Sequence, residues 1–553
     1  MRSNNFLRTK GVFLLGLLIM LLKLFIIDMD PPVWKETLYQ PIDEPYYVYP
    51  AYNYFETGDL FMADNAVVFG NSILLNVITY FSLDIFGDNY MGLRFSSILF
   101  GIIALFFFVL LLISVTSNVK LRYAVVLCFV LNFSFTTANI ILEPTMVRMM
   151  AAIFCLWLVV RWKEKQAEVG KSLIWKSALI CLLFLFSYPT NAFLVLAAYI
   201  ALVLTKTPWQ QENVKWINFN DFWKGSIYFG IGGLISLFIY FLINLSLDVD
   251  MLSDIFDRGS KYEGRTGFNP RGLVVNFFKL VLANSFRFNP LWLVVSVLAI
   301  AGVFLSKWKR FSFTVFATLL FVGSFMLQTI FVNDFPWRKL IILLPFLLLL
   351  VANGCEAIWD NRNNINKKRL ISITASSLLV LMLLIYWEQV FFNSHLVPLV
   401  TTALGIILIF YAIVRKVNSK TVPVVLFVLL LLPEIYYTMQ HYLINPTYHY
   451  KNMYKSLSKY DGYNFIGGSS MGFRVYNQTV PLLSKYLYYD RMDEYWNDTE
   501  KLSHNGQKDY SIDYDFLEEE YRKIGFKPVK LLMPAENSVS DKDIILYEEI
   551  EVK

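Results

Sequence analysis

Of the 553 residues, 56% are hydrophobic and only 17% charged, which excludes a water-soluble enzyme and describes a chain dissolved mainly in lipid. A net charge of +6 is too small a surplus to imply nucleic-acid binding, and its natural use is to orient the chain in a membrane. Disordered and collagen-like chains are excluded by the same balance. The four cysteines, Cys128, Cys155, Cys181 and Cys355, lie in or beside apolar runs, where they act as small hydrophobes and not as a disulfide framework.

The chain starts with MRSNNFLRTK followed by GVFLLGLLIMLLKLFIID. The basic flank is that of a signal peptide, but no small-residue cleavage site follows and Lys23 interrupts the apolar run, so the segment reads as a retained first span. Crossing about 30 Å of hydrocarbon at about 1.5 Å per residue takes roughly 20 apolar residues. Stretches that approach this length occur at 11–27, 93–115, 121–141, 145–162, 172–188, 189–205, 225–247, 288–306, 312–332, 338–358, 370–391, 396–415 and 421–440. Thirteen spans place the termini on opposite sides.

Charge in the loops tests that count, because one missed span would invert the bias of every later loop. One alternate set carries Arg2, Arg8 and Lys10, then Lys120 and Arg122, then Arg161 to Lys176, and later Lys307 to Arg310, Arg362 to Arg369 and Arg415 to Lys420. That side is the cytoplasm. The outer side then holds loop 28–92, the turn at 143, loop 248–287 and everything after about 441.

Residues 1–440 thus form a transmembrane domain, and residues 441–553 a soluble extracytoplasmic one. In the tail, YNFIGGSSMGFRVYN, DFLEEEYRKIGF, KPVKLLMP and DIILYEEIEV alternate strand and helix periodicity, as in a small α/β unit. Gly468 to Gly472 matches the GxSxG pattern, but only His504 follows it and the tail is too small for a hydrolase sheet, so a glycine-rich turn is the better reading.

Polar residues that gather against lipid expectation lie on the outer face. Asp43 and Glu44 follow the first span, with Pro45 and the tyrosines Tyr46, Tyr47 and Tyr49 behind them. They read equally as an acidic helix cap with proline at its first turn and as a rigidly held base. The stretch 73–86, punctuated by Asn76, Thr79, Ser82 and Asp84, is too short to span and is expected as an amphipathic helix lying on the membrane. Glu143, at the outer turn after the third span, precedes Pro144 and lies five residues before Arg148. A structural pair and a functional acid are both open there.

Loop 248–287 sets Arg258, Lys261, Arg265 and Arg271 among glycines on the side where few positive charges belong. Guanidinium groups and close-approaching backbone suit a lipid-linked phosphate, with a solvated loop as the bland reading. Arg338, at the mouth of a later span, suits either headgroup anchoring or the same phosphate.

These features together resemble a family. An acidic pair after the first span, surface helices, an acid at the outer turn after the third span, PWRKLIILLP opening a late span, and a terminal outer α/β domain look like the GT-C glycosyltransferases. The closest likeness is to the protein O-mannosyltransferase family and its bacterial relatives, which include the lipid A aminoarabinose transferase. The fold implied is an α-helical polytopic membrane protein with a C-terminal extracytoplasmic α/β domain. The activity implied is hexosyl or pentosyl transfer from a polyprenyl-phosphate carrier to a glycan, lipid or protein acceptor at the outer face of the cell (inner or plasma) membrane. By that resemblance Asp43 is the catalytic acid of the first loop, Glu44 its partner, Tyr47 a site tyrosine, Glu143 the second acidic position and Arg338 a basic residue opening a span. Arg148 and the loop cations Arg258, Lys261, Arg265 and Arg271 are expected to bind substrate.

The chemistry is consistent with those roles. A phosphate leaves as the anomeric carbon gains positive character, so cations must meet the leaving oxygen while a carboxylate takes the acceptor proton. No cofactor is required; Asp43, Glu44 and Glu143 nonetheless supply oxygen donors suited to a divalent cation. The alternative is a multi-pass lipid or solute transporter or flippase, disfavoured because the span interiors are nearly charge-free and the acids sit at the rim.

Overall fold

A computed structural model describes residues 2–29, 72–165, 170–188, 191–204, 219–246, 313–328, 341–360, 396–414, 422–444, 464–466, 509–514, 518–523, 526–534 and 543–549, with scattered positions between them that include 47, 50–52 and 58. Asp43, Glu44, Arg258, Lys261, Arg265, Arg271 and Arg338 lie outside the described residues.

Helix α1 (Arg2–Leu22) continues as a 3-10 turn over Lys23–Ile26 and covers the first expected span. There follow α2 (Ile73–Phe86), α3 (Tyr90–Val115), α4 (Val119–Val130), α5 (Phe133–Ile140) and α6 (Pro144–Lys165). Next come α7 (Ser172–Ser187), α8 (Phe193–Tyr199) with a wider turn at Ile200–Leu204, and α9 (Phe219–Ser246). The later helices are α10 (Phe313–Gln328), α11 (Leu344–Asp360), α12 (Leu396–Val414) and α13 (Val422–Met439), the last extended by a wide turn at Gln440–Ile444. The spans expected at 288–306 and 370–391 lie outside the described residues, apart from Leu291 and Val295, which are helical.

Among the described residues four helical stretches are long and apolar enough to cross a bilayer: Tyr90–Val115, Pro144–Lys163, Asn220–Ser246 and Val424–Ile444. The span expected at 121–141 differs from a straight rod, because α4 and α5 meet at a 52° bend. Asn132 is the reason. Its side chain accepts from Phe135 N–H at 3.0 Å and so starts a new helix where the old one stops.

Asparagine opens α3 and α4 in the same way. Asn89 accepts from Gly92 N–H at 3.0 Å, and Asn118 accepts from Lys120 N–H at 3.1 Å. The bend before α3 also needs Gly87, whose φ of 76° is left-handed, and Gly92, where a Cβ would collide with the Gly87 carbonyl oxygen. At the other end of α3, Ser117 N–H donates to Glu356 of α11 at 3.1 Å, and Arg122 closes the turn on the Thr116 carbonyl. These bonds supply partners that water cannot offer at membrane depth.

Buried side chains of α1, α3, α4, α6, α8, α11 and α13 form one contiguous apolar core. Phe107 of α3 packs its ring 4.5 Å from Phe154 and 5.0 Å from Trp157 of α6. The outside is equally apolar. Leu234, Phe238, Phe241 and Leu245 of α9 and Ile407 of α12 are exposed, a surface stable against hydrocarbon and not against water. On α2 three polar residues, Asn76, Thr79 and Ser82, are buried, while Asp84 is exposed on the same side as Phe81 and Ile85, which are 53% and 71% exposed.

After α13 comes a four-stranded mixed sheet of order β1-β2-β4-β3, with strands β1 (Asn464–Ile466), β2 (Asp509–Tyr514), β3 (Phe526–Met533) and β4 (Ile544–Glu549). Strand β1 runs parallel to β2, and β4 lies antiparallel to both β2 and β3. The short helix α14 (Glu518–Lys523) links β2 to β3. Three strands and the helix fall in the tail segments with the expected periodicity, whereas β2, from DYSIDY, lies outside those segments although its polar and apolar residues alternate strictly. Ile544 and Leu546 of β4 join the same apolar core as the helices.

Helices α7 and α9 approach closely at Gly232, where a Cβ would collide with Ile174 O and Ser177 Oγ. Ser236 Oγ then donates to Ala178 O at 2.7 Å across the same seam. Gly232→Leu is expected to destabilise the protein by about 1–3 kcal/mol and to lower the thermal midpoint of the detergent-solubilised chain. An unchanged midpoint would show that this contact does not hold the pair together.

Candidate active site

Three of the expected site residues are described, and they come together. Glu143 occupies the turn between α5 and α6 and is 2% exposed; Arg148, on the first turns of α6, is 1% exposed. Tyr47 is half-buried against the apolar core. Tyr188, Tyr47 and Glu143 are the groups that act on the Arg148 guanidinium electrostatically. Its carbon lies 5.4 Å from the centroid of the Tyr188 ring.

Pro144 opens α6 at a position where its missing N–H has no cost. Arg148 lies five residues after Glu143, roughly 140° round a helix, so the two are brought near by the turn before α6 and the reach of the long arginine side chain, not by a shared helix face. The two do not form an ion pair among the described residues. Arg148 Nε instead donates to Asn191 Oδ1 at 3.3 Å, and Thr145 Oγ1 donates to Glu143 Oε2 at 3.4 Å. Asn191 is held in turn by donating to Ser187 Oγ at 2.7 Å. Ser187 O accepts from Ser72 at 3.1 Å, which ties this outer turn to the start of α2.

Arg148 Nη2 is buried and has no hydrogen-bond partner among the described residues. A buried neutral donor left without an acceptor costs about 1–3 kcal/mol, and a charged one more. Such a group is poorly placed for stability and well placed to receive an oxyanion.

The neighbourhood of the first outer loop is built by residues that sequence reasoning did not single out. Arg94 of α3 is fully buried and donates through Nη1 to Ile27 O and Met29 O, both at 2.8 Å, fixing the exit of α1. Asn76 Oδ1 accepts from Ala51 N–H at 3.3 Å, and Tyr52 donates to Asp88 at 3.0 Å. The one available signal was a lone arginine inside an otherwise apolar run, YMGLRFSSILF, which marks a group buried with partners.

Two further charges lie within the bundle. Lys23, whose interruption of the first span was visible, is buried with its ammonium 4.3 Å from the centroid of the Phe135 ring. Glu434 of α13 is 1% exposed and accepts from Phe133 N–H at 2.9 Å. It was hidden in LLLLPEIYY, where the proline drew attention to a kink and away from the acid. The span interiors are therefore less free of charge than the sequence suggested.

No group of three or more His, Cys, Asp or Glu suited to a metal ion occurs among the described residues. Of the three candidate oxygen donors only Glu143 is described. All four cysteines are free, three of them buried.

These elements define a polytopic helical membrane fold in which the turns before α6 and after α7 converge on a buried acid and cation. Two crystal structures of ArnT from Cupriavidus metallidurans share this fold. The one bound to undecaprenyl phosphate superposes with a TM-score of 0.56 at 11% identity, and the apo state with 0.55 at 11%; each match covers 98% of this chain and 98% of that chain. No protein-family model matches the chain, and no curated protein matches it. The likeness to the family of the lipid A aminoarabinose transferase, read from short motifs, is thus met at the level of the fold.

Asn191→Leu leaves a second guanidinium N–H of Arg148 without a partner and is expected to destabilise by about 1–3 kcal/mol. Adding Arg148→Met removes the stranded charge and should restore most of the loss, as thermal melts of the two single variants and the double variant will show. Additive losses would mean that the two side chains are not coupled.

Proposed function

We propose that this protein is a multi-pass membrane glycosyltransferase that moves a sugar from a polyprenyl-phosphate carrier to a glycan, lipid or protein acceptor at the outer face of the cell membrane. The observation that carries the reading is the buried Arg148 guanidinium, with an N–H to spare, beside Glu143 and Tyr47 at an outer turn. The shared fold of a protein crystallised with undecaprenyl phosphate supports it.

In this reading Asp43 takes the proton from the acceptor hydroxyl as that oxygen bonds to the anomeric carbon, and the bond from that carbon to the carrier phosphate breaks. Glu44 and Glu143 fix the position and charge of Asp43. Arg148, with Arg258, Lys261, Arg265, Arg271 and Arg338, neutralises the charge that builds on the leaving phosphate. Guanidinium groups suffice for a monophosphate, and Asp43, Glu44 and Glu143 are the ligands of choice if a divalent cation takes part. Thirteen spans place the N-terminus in the cytoplasm and the sheet-bearing tail outside, on the same side as these residues.

A transporter is the second reading, and the break between α4 and α5 beside Glu434 is the feature in its favour. The two part on one observation: the glycosyltransferase consumes a carrier-linked sugar without moving solute. A strain lacking the gene should accumulate that carrier-linked sugar and lose one envelope modification, both visible by mass spectrometry. With the accumulated lipid as donor, Asp43→Asn should insert normally and turn over about a hundredfold more slowly, as for loss of a positioned base. Wild-type turnover in that variant removes Asp43 from the mechanism.

Topology is open to an independent measurement. A reporter fused after Tyr442 should be active only outside the cytoplasm and one fused after Ser419 only inside. Both signals on one side would break the thirteen-span count and take the sheet-bearing tail off the face that carries these residues.

A further inference from the structure

We infer that Glu434 is a positioning residue, whose carboxylate in the middle of the last span holds the bent helix α5 so that the turn at 141–143 presents Glu143 and the start of α6 presents Arg148. The inference rests on the reading of Glu143 and Arg148 as site residues.

Glu434 lies midway along the stretch Val424–Ile444, where an ionisable side chain is expensive and its presence asks for a task. Its Oε2 accepts from Phe133 N–H at 2.9 Å, and Phe133 is the first residue of α5. An acid at that end of a helix also meets the positive pole of the helix dipole. The same side of α13 grips α5 twice more. The Phe133 ring packs 5.9 Å from the Tyr437 ring and 5.5 Å from that of His441, and the Thr137 and Tyr442 hydroxyls lie 2.8 Å apart.

On its other flank α5 is tied to α3. Asn139 Nδ2 donates to Ser97 O and Ser97 Oγ donates to Ile141 O, both at 2.7 Å. The segment leading to Glu143 is thus clamped between two spans, and on the α13 side the carboxylate at the 52° break holds the first N–H of α5 beside the ring and hydroxyl contacts. Leucine would fill that volume without directing α5; an acceptor oxygen fixes where the helix begins, and with it the height of the turn that follows.

The test uses the full-length protein in nanodiscs, with farnesyl phosphate as the probe for the phosphate-binding role of Arg148. Glu434→Gln keeps an acceptor oxygen and should retain wild-type amide exchange over residues 133–142, with farnesyl phosphate affinity within about twofold. Glu434→Leu removes it and should speed exchange in that segment and weaken the probe by about tenfold, the effect of one lost buried hydrogen bond, while exchange in α7 and α9 stays as it was. If Glu434→Leu does not yield monodisperse protein, Tyr442→Phe removes only the hydroxyl contact to Thr137 and should raise exchange in the same segment.

Unchanged exchange over 133–142 in these variants overturns the inference, as does a glutamine variant that behaves like leucine. So does faster exchange with unchanged probe affinity when Arg148→Ala abolishes binding, since the helix would then move without moving the site. If Arg148→Ala also binds farnesyl phosphate normally, it is the phosphate reading of Arg148 that has failed, and the exchange data alone decide whether Glu434 holds α5.

Discussion

Backbone amides in hydrocarbon have no water to bond, so each break in a helix obliges some side chain to take over, and the placement of those side chains fixes the rest of this molecule. Asn89, Asn118 and Asn132 open three successive helices. Glu356 and Arg122 close the turn between α3 and α4. Ser72, Ser187 and Asn191 join the turn after α7 to the start of α2. The turn that carries Glu143 and the turn that carries Asn191, the partner of Arg148, are tied down by this obligation, and the proposed transfer site would gain from it.

The helices were legible because their cause is local. Roughly 20 apolar residues in a row have few outcomes other than a helix in lipid, and the described parts of the expected spans are helical. The bend at 131–132 was not legible, since FVLNFSF offers only one asparagine, and whether it caps a helix depends on Glu434 some 300 positions away. Strand β2 was open to the same local reading, since DYSIDY alternates polar and apolar residues, and only its partners β1 and β4 had to come from the fold. Glu143, Arg148 and Tyr47 could be picked out because polar residues at an outer turn stand out against an apolar background. Arg94, Asn191 and Glu434 could not be assigned, because their roles lie in partners that only the fold reveals.

Charge inside the bundle is distributed by function as much as by depth. Arg94 is satisfied by two carbonyls and Glu434 by a backbone amide, the pattern of groups that hold shape. Arg148 keeps an N–H in reserve. The contrast separates charges that hold shape from one with a donor left over.

The buried polar residues of α2 have a consequence for handling the protein. A helix that hydrogen-bonds inward through Asn76 and Thr79 and shows Phe81 and Ile85 outward needs an oily neighbour to stay where it is. Lipid lying along α2 then acts as one more packing partner of this helix. Stripping that lipid with detergent would then loosen α2 from Ala51 and Ser96 while the packed bundle survives, a change that the overall helical signal would barely register.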